Sequence, residues 1–297
     1  MRSLVTLLLL LLAPGCASSL TTLQTARPLT RGQVQASGAM GGFIPVGSLG
    51  RLFGQGLAQG RAIGAAIGTG QPYHLSRADA ESLLETGLAL AVAPPGTAQE
   101  LMVRAGVLPA STLDLGLRLS STSLRLDGKL RLAHGGDAVR PHQGTSYDVA
   151  LGLGLSRHLF RNPTAQALAL VRLDDFSRWD LEVPLYLSVD WGDVFKLYAA
   201  PKYIYSRTSF GARLEAGARE GQEVTGFDLS VPARVSSHFY GASLGFALGF
   251  RWVHVYAELT AGYVACRPVI LGAPRDLGGA ALYPALGLAF KTPEPLR

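Results

Sequence analysis

Residues 124–132 read LRLDGKLRL, so apolar or small residues alternate with charged ones along the whole stretch. The same two-residue rhythm returns in residues 181–190, LEVPLYLSVD, and in residues 253–260, VHVYAELT. Because side chains of a β-strand point to opposite faces with a period of two, each stretch has one apolar and one polar face. Strands of about ten residues are long enough to cross a membrane, and only a closed barrel pairs every backbone group in lipid. The sequence therefore predicts an all-β protein, an antiparallel transmembrane β-barrel.

Ten segments of this kind follow one another along the chain, and we expect each to form one barrel strand. An even number places both termini at the same end, as in bacterial outer-membrane barrels. Residues 165–173 and 225–235 also alternate, so twelve strands is the first alternative and eight is the second. The ten predicted strands cover residues 32–43, 99–107, 112–120, 123–133, 146–157, 180–190, 194–206, 235–250, 252–265 and 281–290.

The apolar side chains of these segments are predicted to face lipid, and the small or polar ones to face the lumen. An apolar outside with a polar inside is the reverse of a soluble barrel and is typical of a membrane one. Aromatic residues near the strand ends suit the two membrane interfaces. These aromatic residues are Tyr147, Trp179, Trp191, Phe195, Tyr203, Tyr205, Trp252 and Tyr263.

The predicted connections differ in length between the two ends of the barrel. Most connections at one end are short and most at the other are long, which is the asymmetry between periplasmic turns and extracellular loops. The longest connection, residues 44–98, has apolar residues at helical spacing, so we expect a partly helical extracellular insertion after the first strand.

The start of the chain resembles a bacterial export signal. Residues 4–12 are almost wholly apolar but too short to span a bilayer as a helix, which predicts the core of a signal peptide. Residues 13–16, APGC, resemble the lipobox of bacterial lipoproteins, where the cysteine thiol is acylated and the chain is cut just before it. We therefore expect an acyl anchor on Cys16, holding the N-terminus near the periplasmic leaflet.

These observations predict five parts of the chain. A lipoprotein signal peptide comes first and a periplasmic lead connects it to the barrel, whose insertion is extracellular and whose tail is periplasmic. The parts cover residues 1–15 for the signal peptide, 16–31 for the lead, 32–290 for the barrel, 44–98 for the insertion within it, and 291–297 for the tail.

Composition excludes several classes of function. The net charge is +6 with only 16% charged residues, and no basic cluster is interleaved with aromatics, so we expect no nucleic-acid partner. Six histidines without paired ligand spacing predict no metal site, and no motif indicates a cofactor. Cys266 is the only cysteine besides Cys16, so lipidation of Cys16 leaves it unable to form an intrachain disulfide.

Five stretches of the chain belong together: TLQTARPL at residues 22–29, ELMVRAGV at 100–107, LDLGLR at 113–118, YAAPKY at 198–203, and a terminal strand ending at Phe290. They resemble the corresponding stretches of a group of uncharacterised Gram-negative outer-membrane barrel lipoproteins, and the terminal strand is the last of the five. The last resembles the signal that the barrel-assembly machinery reads. This resemblance implies an outer-membrane location and partners in assembly and lipoprotein processing, but it implies no substrate.

Two patterns could indicate catalysis. Residues 241–245, GASLG, match the G-x-S-x-G pattern of serine hydrolases, which works at a sharp strand-to-helix turn, whereas here it lies inside an alternating strand. His254 and Glu258 share one strand face but are separated by roughly 13 Å, too far for direct contact. We therefore expect no enzyme, and an outer-membrane hydrolase is the least favoured alternative.

Charged residues on the predicted inward faces are the main candidate site. A barrel of ten strands is narrow and its lumen is largely filled by side chains, so opposite charges are expected to pair there. We expect a structural or surface-interaction role with a largely closed lumen; the alternative is a narrow passive channel for small anions, because basic residues outnumber acidic ones. The candidate residues are Asp114, Arg118, Arg125, Asp127, Lys129, Arg131, Glu182, Lys196, Lys202 and Glu258.

Overall fold

The structure, a computed structural model, is all-β. It describes residues 19–46, 97–120, 122–136, 144–159, 171–192, 194–214, 231–270 and 272–294, with a few single residues between them. The strands are β1 Val34–Gly42, β2 Ile44–Val46, β3 Thr97–Gly106, β4 Leu113–Ser120, β5 Ser123–Gly136, β6 Thr145–His158, β7 Val171–Trp191, β8 Phe195–Leu214, β9 Val231–Phe250, β10 Val253–Cys266, β11 Val269–Ile270, β12 Ala273–Pro274 and β13 Gly279–Lys291, with one 3-10 turn at Pro109–Ser111.

Ten of these strands close into a barrel. Each pairs antiparallel with its neighbours in the order β1, β3, β4, β5, β6, β7, β8, β9, β10, β13, and β13 pairs back onto β1. The short strand β2 extends the edge of β13 beyond β1, while β11 and β12 form a separate hairpin. The predicted closed barrel of ten antiparallel strands is therefore confirmed.

The described parts of the two segments that allowed a twelve-stranded alternative lengthen existing strands, while residues 165–170 and 225–230 lie outside the described residues. Residues 171–173 belong to β7, and residues 231–235 belong to β9. Both strands reach about twenty residues because the alternation continues past the membrane-spanning part. The predicted insertion lies almost wholly within residues 47–96, outside the described residues, so its helical character stays a prediction.

Burial alternates along the strands as the sequence pattern requires. Leu126, Leu153 and Leu244 are 59–65% exposed on the outer surface of the barrel. Asp127 and Ser243, on the opposite faces, are 3% and 0% exposed. The barrel is thus apolar outside and polar inside, as expected for a protein surrounded by lipid. Among the described residues, no helix has the length and hydropathy to cross a membrane.

Exposed aromatic residues mark the two edges of the apolar band. Trp252 lies just before β10 and Tyr263 lies within it, and both are about half exposed. Eleven residues of strand, tilted by about 40°, correspond to about 28 Å along the barrel axis. This height matches the hydrocarbon core of a bilayer, roughly 30 Å thick. On β7, Trp179 and Trp191 are placed in the same way.

The connections confirm that the two ends of the barrel differ. One end, which we call the short-turn end, has the short connections 107–112, 192–194 and 251–252 between barrel strands. The opposite end, which we call the long-loop end, has the longer connections 43–96, 159–170, 215–230 and 267–278. Two connections depart from this rule: the two-residue turn after β4 lies at the long-loop end, and the eight-residue connection 137–144 after β5 lies at the short-turn end.

The described part of the predicted periplasmic lead lies elsewhere than expected. Ala26, Thr21 and Gln24 are at most 2% exposed, and their contacts are with residues on the inner face of the barrel. Residues 19–30, which we call the lumen segment, therefore run through the barrel. The expectation of an external lead for these residues is corrected, because their amides, carbonyls and hydroxyls find their partners on the lumen wall. Residues 1–18 lie outside the described residues.

Candidate functional site: a lumen occupied by the N-terminal segment

The lumen segment is fixed at the short-turn end, where it turns into β1. Thr30 shares a hydrogen bond of 2.8 Å with the hydroxyl of Ser111, which lies in a short connection. Arg31 forms a bridge with Gly106, the last residue of β3. Gly32 follows with a φ of 80°, a left-handed conformation that glycine adopts without steric cost. The chain can therefore reverse there and enter the barrel wall.

The other end of the segment lies deep in the barrel, towards the long-loop end. The Thr21 hydroxyl donates a 2.7 Å hydrogen bond to Glu100, near the start of β3. The Leu20 carbonyl accepts a 3.2 Å hydrogen bond from Thr260, in the middle of β10. The lumen segment therefore runs lengthwise through the barrel, with Ser19 further from the short-turn end than Thr30.

Glu258 is the main acceptor for the backbone of the segment. Its carboxylate accepts hydrogen bonds from the amides of Thr22, at 2.7 Å, and Leu23, at 2.6 Å. The Tyr198 hydroxyl donates a third hydrogen bond of 2.8 Å to the same side chain. A buried carboxylate is costly without such donors. The segment therefore supplies part of the environment that makes a charge at this depth tolerable.

Basic side chains bind the carbonyl oxygens of the segment. Arg118 donates to the carbonyls of Thr21, at 2.8 Å, and Thr22, at 3.1 Å. Lys202 donates to the Leu20 carbonyl and, at 3.0 Å, to the Thr22 hydroxyl.

Lys129 does the same nearer the short-turn end. Its ammonium donates to the carbonyls of Thr25, at 2.9 Å, and Arg27, at 3.4 Å. Backbone carbonyls buried without donors are strongly disfavoured, so cations along the wall fix the path of the lumen segment, whose residues belong to no strand.

A second group of charges pairs across the wall itself. Arg104, which is 2% exposed, binds both Asp114 and Asp127 through its two terminal nitrogens. Arg125 binds Glu182 and lies 3.6 Å from Asp127. These residues come from β3, β4, β5 and β7, so the pairs connect four strands. These ion pairs form within the wall, and the lumen segment adds one contact to them, a 3.0 Å hydrogen bond from the Leu29 amide to Asp114.

The structure buries nine of the ten predicted lumen charges. Arg118 lies 3.3 Å from Glu100, Lys129 lies 3.5 Å from Asp114, and Lys196 lies 3.0 Å from Asp190. Arg131 is different: its side chain is 19% exposed, 3.9 Å from Asp148, and it also donates to the Ala110 carbonyl in a short connection. Arg131 therefore lies at the short-turn rim rather than deep in the lumen.

Sequence reasoning missed three parts of this site. Arg104 and Glu100 alternate with the exposed Leu101 and Val103, so the rhythm of β3 already placed them inside. Arg178 and Asp180 form a buried 2.8 Å pair on β7, with Asp180 at the predicted start of that strand and Arg178 two residues before it. The lumen segment itself has no strand-like alternation, and its only sequence signal is a run of threonine and glutamine beside leucine.

The G-x-S-x-G pattern lies in the middle of β9, with no turn at the serine. The Ser243 hydroxyl is buried and shares hydrogen bonds with Thr260, at 2.6 Å, and Thr22, at 3.0 Å. A β-carbon on Gly241 would lie 2.6 Å from the Ala261 carbonyl oxygen, so this glycine allows close packing of the wall. Ser243 thus helps to hold the lumen segment.

His254 and Glu258, the other candidate pair, are both buried on β10, and Glu258 binds the backbone of the lumen segment.

Two small cavities lie beside the lumen segment in the described part of the chain. One cavity beside Leu23 and Tyr256 measures about 10 Å³, and another beside Pro28 and Lys196 measures about 40 Å³. These volumes hold one and a few water molecules respectively. Across the described residues, no cluster of His, Cys, Asp or Glu has the arrangement of a metal site.

Comparison with known proteins finds similarity only among solved structures. Neisserial surface protein A is 12% identical over 88% of this chain and 96% of that chain, with a TM-score of 0.34. The outer membrane protease OmpT from Escherichia coli is 9% identical over 91% of this chain and 99% of that chain, with a TM-score of 0.36. No family model matches the chain, and no curated protein does. At these values the likeness carries no assignment of function.

Proposed function

We propose that this chain is an outer-membrane β-barrel whose lumen is closed by its own N-terminal segment, and that its role is structural or interactive rather than transport. The observation that carries the proposal is the burial of residues 19–30 among wall side chains that bind their backbone. A continuous water-filled path is incompatible with a lumen filled in this way. The long loops are then the surfaces available to partners, and outer-membrane lipids cover the apolar band.

Charge balance argues against an anion filter in the wild-type barrel. The basic residues that would line such a filter bind carboxylates or backbone carbonyls, so they present little uncompensated charge. The buried acidic and basic residues of the described strands nearly balance. They are Glu100, Asp114, Asp127, Asp148, Asp180, Glu182, Asp190 and Glu258 against Arg104, Arg118, Arg125, Lys129, Arg178, Lys196 and Lys202.

Planar-bilayer conductance tests the proposal directly. Residues 16–297 inserted into a bilayer should be silent, and the same chain lacking residues 20–30 should conduct. A synthetic peptide of residues 19–30 should block the deletion variant, whereas a peptide of reversed sequence should not. Heat-modifiable migration on gels confirms that both barrels are folded.

The opposite results are equally informative. Steady anion-selective conductance by the wild-type chain would reject the closed barrel and favour the narrow channel. A folded deletion variant that stays silent would show that other parts of the chain close the lumen. The proposal also includes no catalysis, so the same preparation should hydrolyse neither lipid nor peptide substrates.

A further inference from the structure

The direction of the lumen segment determines where the preceding chain must go. Its C-terminal end, at Thr30, lies against the short connection that contains Ser111. Its N-terminal end lies against Glu100 and Thr260, and Gly41 is close enough that a β-carbon there would lie 3.1 Å from the Thr21 side chain. Gly41 is the penultimate residue of β1. The chain at Ser19 is therefore directed towards the long-loop end.

A return through the same lumen is blocked by the segment itself. Thr22 is contacted from one side by Arg118 on β4 and from the other side by Glu258 on β10. Its hydroxyl also contacts Ser243 on β9 and Lys202 on β8. One residue therefore bridges the lumen, and a second passage of chain at this level has no room.

The barrel wall is low on the side where the segment begins. β3 starts at Thr97, three residues beyond Glu100, and β4 ends at Ser120. On the other side, β8 continues from Lys202 to Leu214. In the described strands, the wall next to the start of the lumen segment therefore ends lower than the wall on the β7 to β9 side.

An apolar groove lies on the outer surface of this low wall. It has a volume of about 670 Å³, and its mainly apolar lining includes Met40, Leu101, Leu119 and Leu286, with Gln99, Glu100 and Ser120 as its polar members. Ala39 pairs with Glu100, whose side chain binds Thr21 on the inner surface. The groove thus lies directly across the wall from the start of the lumen segment.

We propose that the chain before Ser19 leaves the barrel at the long-loop, extracellular end, and that this groove takes the acyl chains carried by Cys16. Cys16 is three residues from Ser19, which at full extension is about 11 Å. Acyl chains gain free energy for each methylene group removed from water, so an apolar groove beside the exit is their nearest suitable surface. This reverses the expectation that the lipid holds the N-terminus at the periplasmic leaflet.

The inference rests on the proposed function, since the segment must occupy the lumen, but it can fail separately. An epitope inserted between Ala17 and Ser18 should bind antibody on intact cells. The same epitope inserted in residues 137–143, the connection after β5 at the short-turn end, should bind only after permeabilisation. A residue-17 epitope that needs permeabilisation overturns the inference, even when the bilayer experiment shows a silent barrel.

Photocrosslinking tests the groove. Two variants carry the photoreactive residue benzoylphenylalanine, one in place of Leu101 in the groove and one in place of Leu153, a similarly exposed lipid-facing residue on β6. Both are produced in cells fed radioactive palmitate. After irradiation and denaturation, acyl esters are hydrolysed with base, and cleavage of the peptide chain within residues 22–31 separates the Cys16 peptide and its attached groups from the barrel. Label retained on the barrel at position 101 but not at 153 supports the groove.

A Cys16→Ser chain should lose the label at position 101. Equal labelling at both positions, or labelling that survives Cys16→Ser, would identify free membrane lipid as the occupant and overturn the proposal for the groove. Where Cys16→Ser fails to reach the membrane, the comparison of positions 101 and 153 in the otherwise wild-type chain decides the question.

Discussion

Buried charged side chains find different kinds of partner on two sides of the lumen. On the β3 to β7 side, Arg104 binds Asp114 and Asp127, and Arg125 binds Glu182, so this group, the Arg104 network, pairs mainly within the wall, with one hydrogen bond from the Leu29 amide to Asp114. On the β8 to β10 side, Glu258 and Lys202 bind the backbone of the lumen segment, as Arg118 and Lys129 also do from β4 and β5. The Arg104 network is structural, whereas the second set of residues is a binding site for the protein's own chain.

This difference separates what holds the barrel from what closes it. Removal of the lumen segment leaves Arg104 with both carboxylate partners but takes from Glu258 its two backbone donors. Variants in the Arg104 network should therefore destabilise the barrel with or without the segment. At Glu258, Lys202, Arg118 and Lys129, the part of the effect that comes from binding the segment should disappear once the segment is removed.

The largest effect is expected at Arg104. Arg104→Met leaves two buried carboxylates without their shared guanidinium, which typically costs about 3–5 kcal/mol. Urea unfolding in lipid vesicles should show this loss equally in the full chain and in the chain lacking residues 20–30. A loss that disappears in the deletion chain would show that Arg104 also depends on the segment and would remove the distinction between the two sides.

A smaller effect that depends on the segment is expected at Glu258. Glu258→Gln keeps the shape of the side chain but weakens its charge-assisted hydrogen bonds, by about 1.5–3 kcal/mol in the full chain. In the chain lacking residues 20–30, the same change should be neutral or stabilising, because the carboxylate is then buried without its two amide donors. Equal losses in both chains, measured as a double-mutant cycle, contradict segment binding at this residue.

Steric crowding of the first side is expected to cost somewhat less. A β-carbon on Gly154 would lie 2.7 Å from Nε of Arg125, so Gly154→Ala must displace the partner of Glu182. Overpacking of this kind costs about 1–2 kcal/mol. Gly38→Ala is the matched control, because its new β-carbon has no neighbour closer than 3.8 Å. Equal unfolding midpoints for the two variants would show that the Arg125 network yields easily.

The smallest effect is expected at the rim. Arg131 lies 3.9 Å from Asp148 with its side chain 19% exposed, so Arg131→Gln should change the unfolding free energy by less than about 1 kcal/mol. The change should also leave the bilayer record of the wild-type chain silent. A larger loss of stability, or new conductance, would place Arg131 within the closing network.

Much of the wall could be predicted because it follows from local alternation. The pattern in residues 124–132 already put Leu126 outside and Arg125 and Asp127 inside, and the structure agrees. Some predicted strand ends are wrong, because the alternation of apolar and polar residues continues beyond the part of the strand that crosses the membrane. Strand β8, for example, continues to Leu214 because a strand can extend past the lipid when its neighbour β9 extends with it.

The interior could be predicted only in part. The sequence placed Asp127 in the lumen but could not pair it with Arg104, because that contact depends on the registers of β3 on β4 and of β4 on β5. Gly116 lies between the two residues in that register, and its missing side chain leaves room for the guanidinium.

The sequence by itself determined the strands, their faces and the closed barrel, because each depends on residues a few positions apart and on the insolubility of unpaired backbone in lipid. Only the tertiary structure decided what fills the barrel. Thr22 finds its partners Arg118 and Glu258 at separations of 96 and 236 residues, and no local pattern encodes such contacts. The lumen segment has its place because the closed wall offers buried charges that its backbone can satisfy.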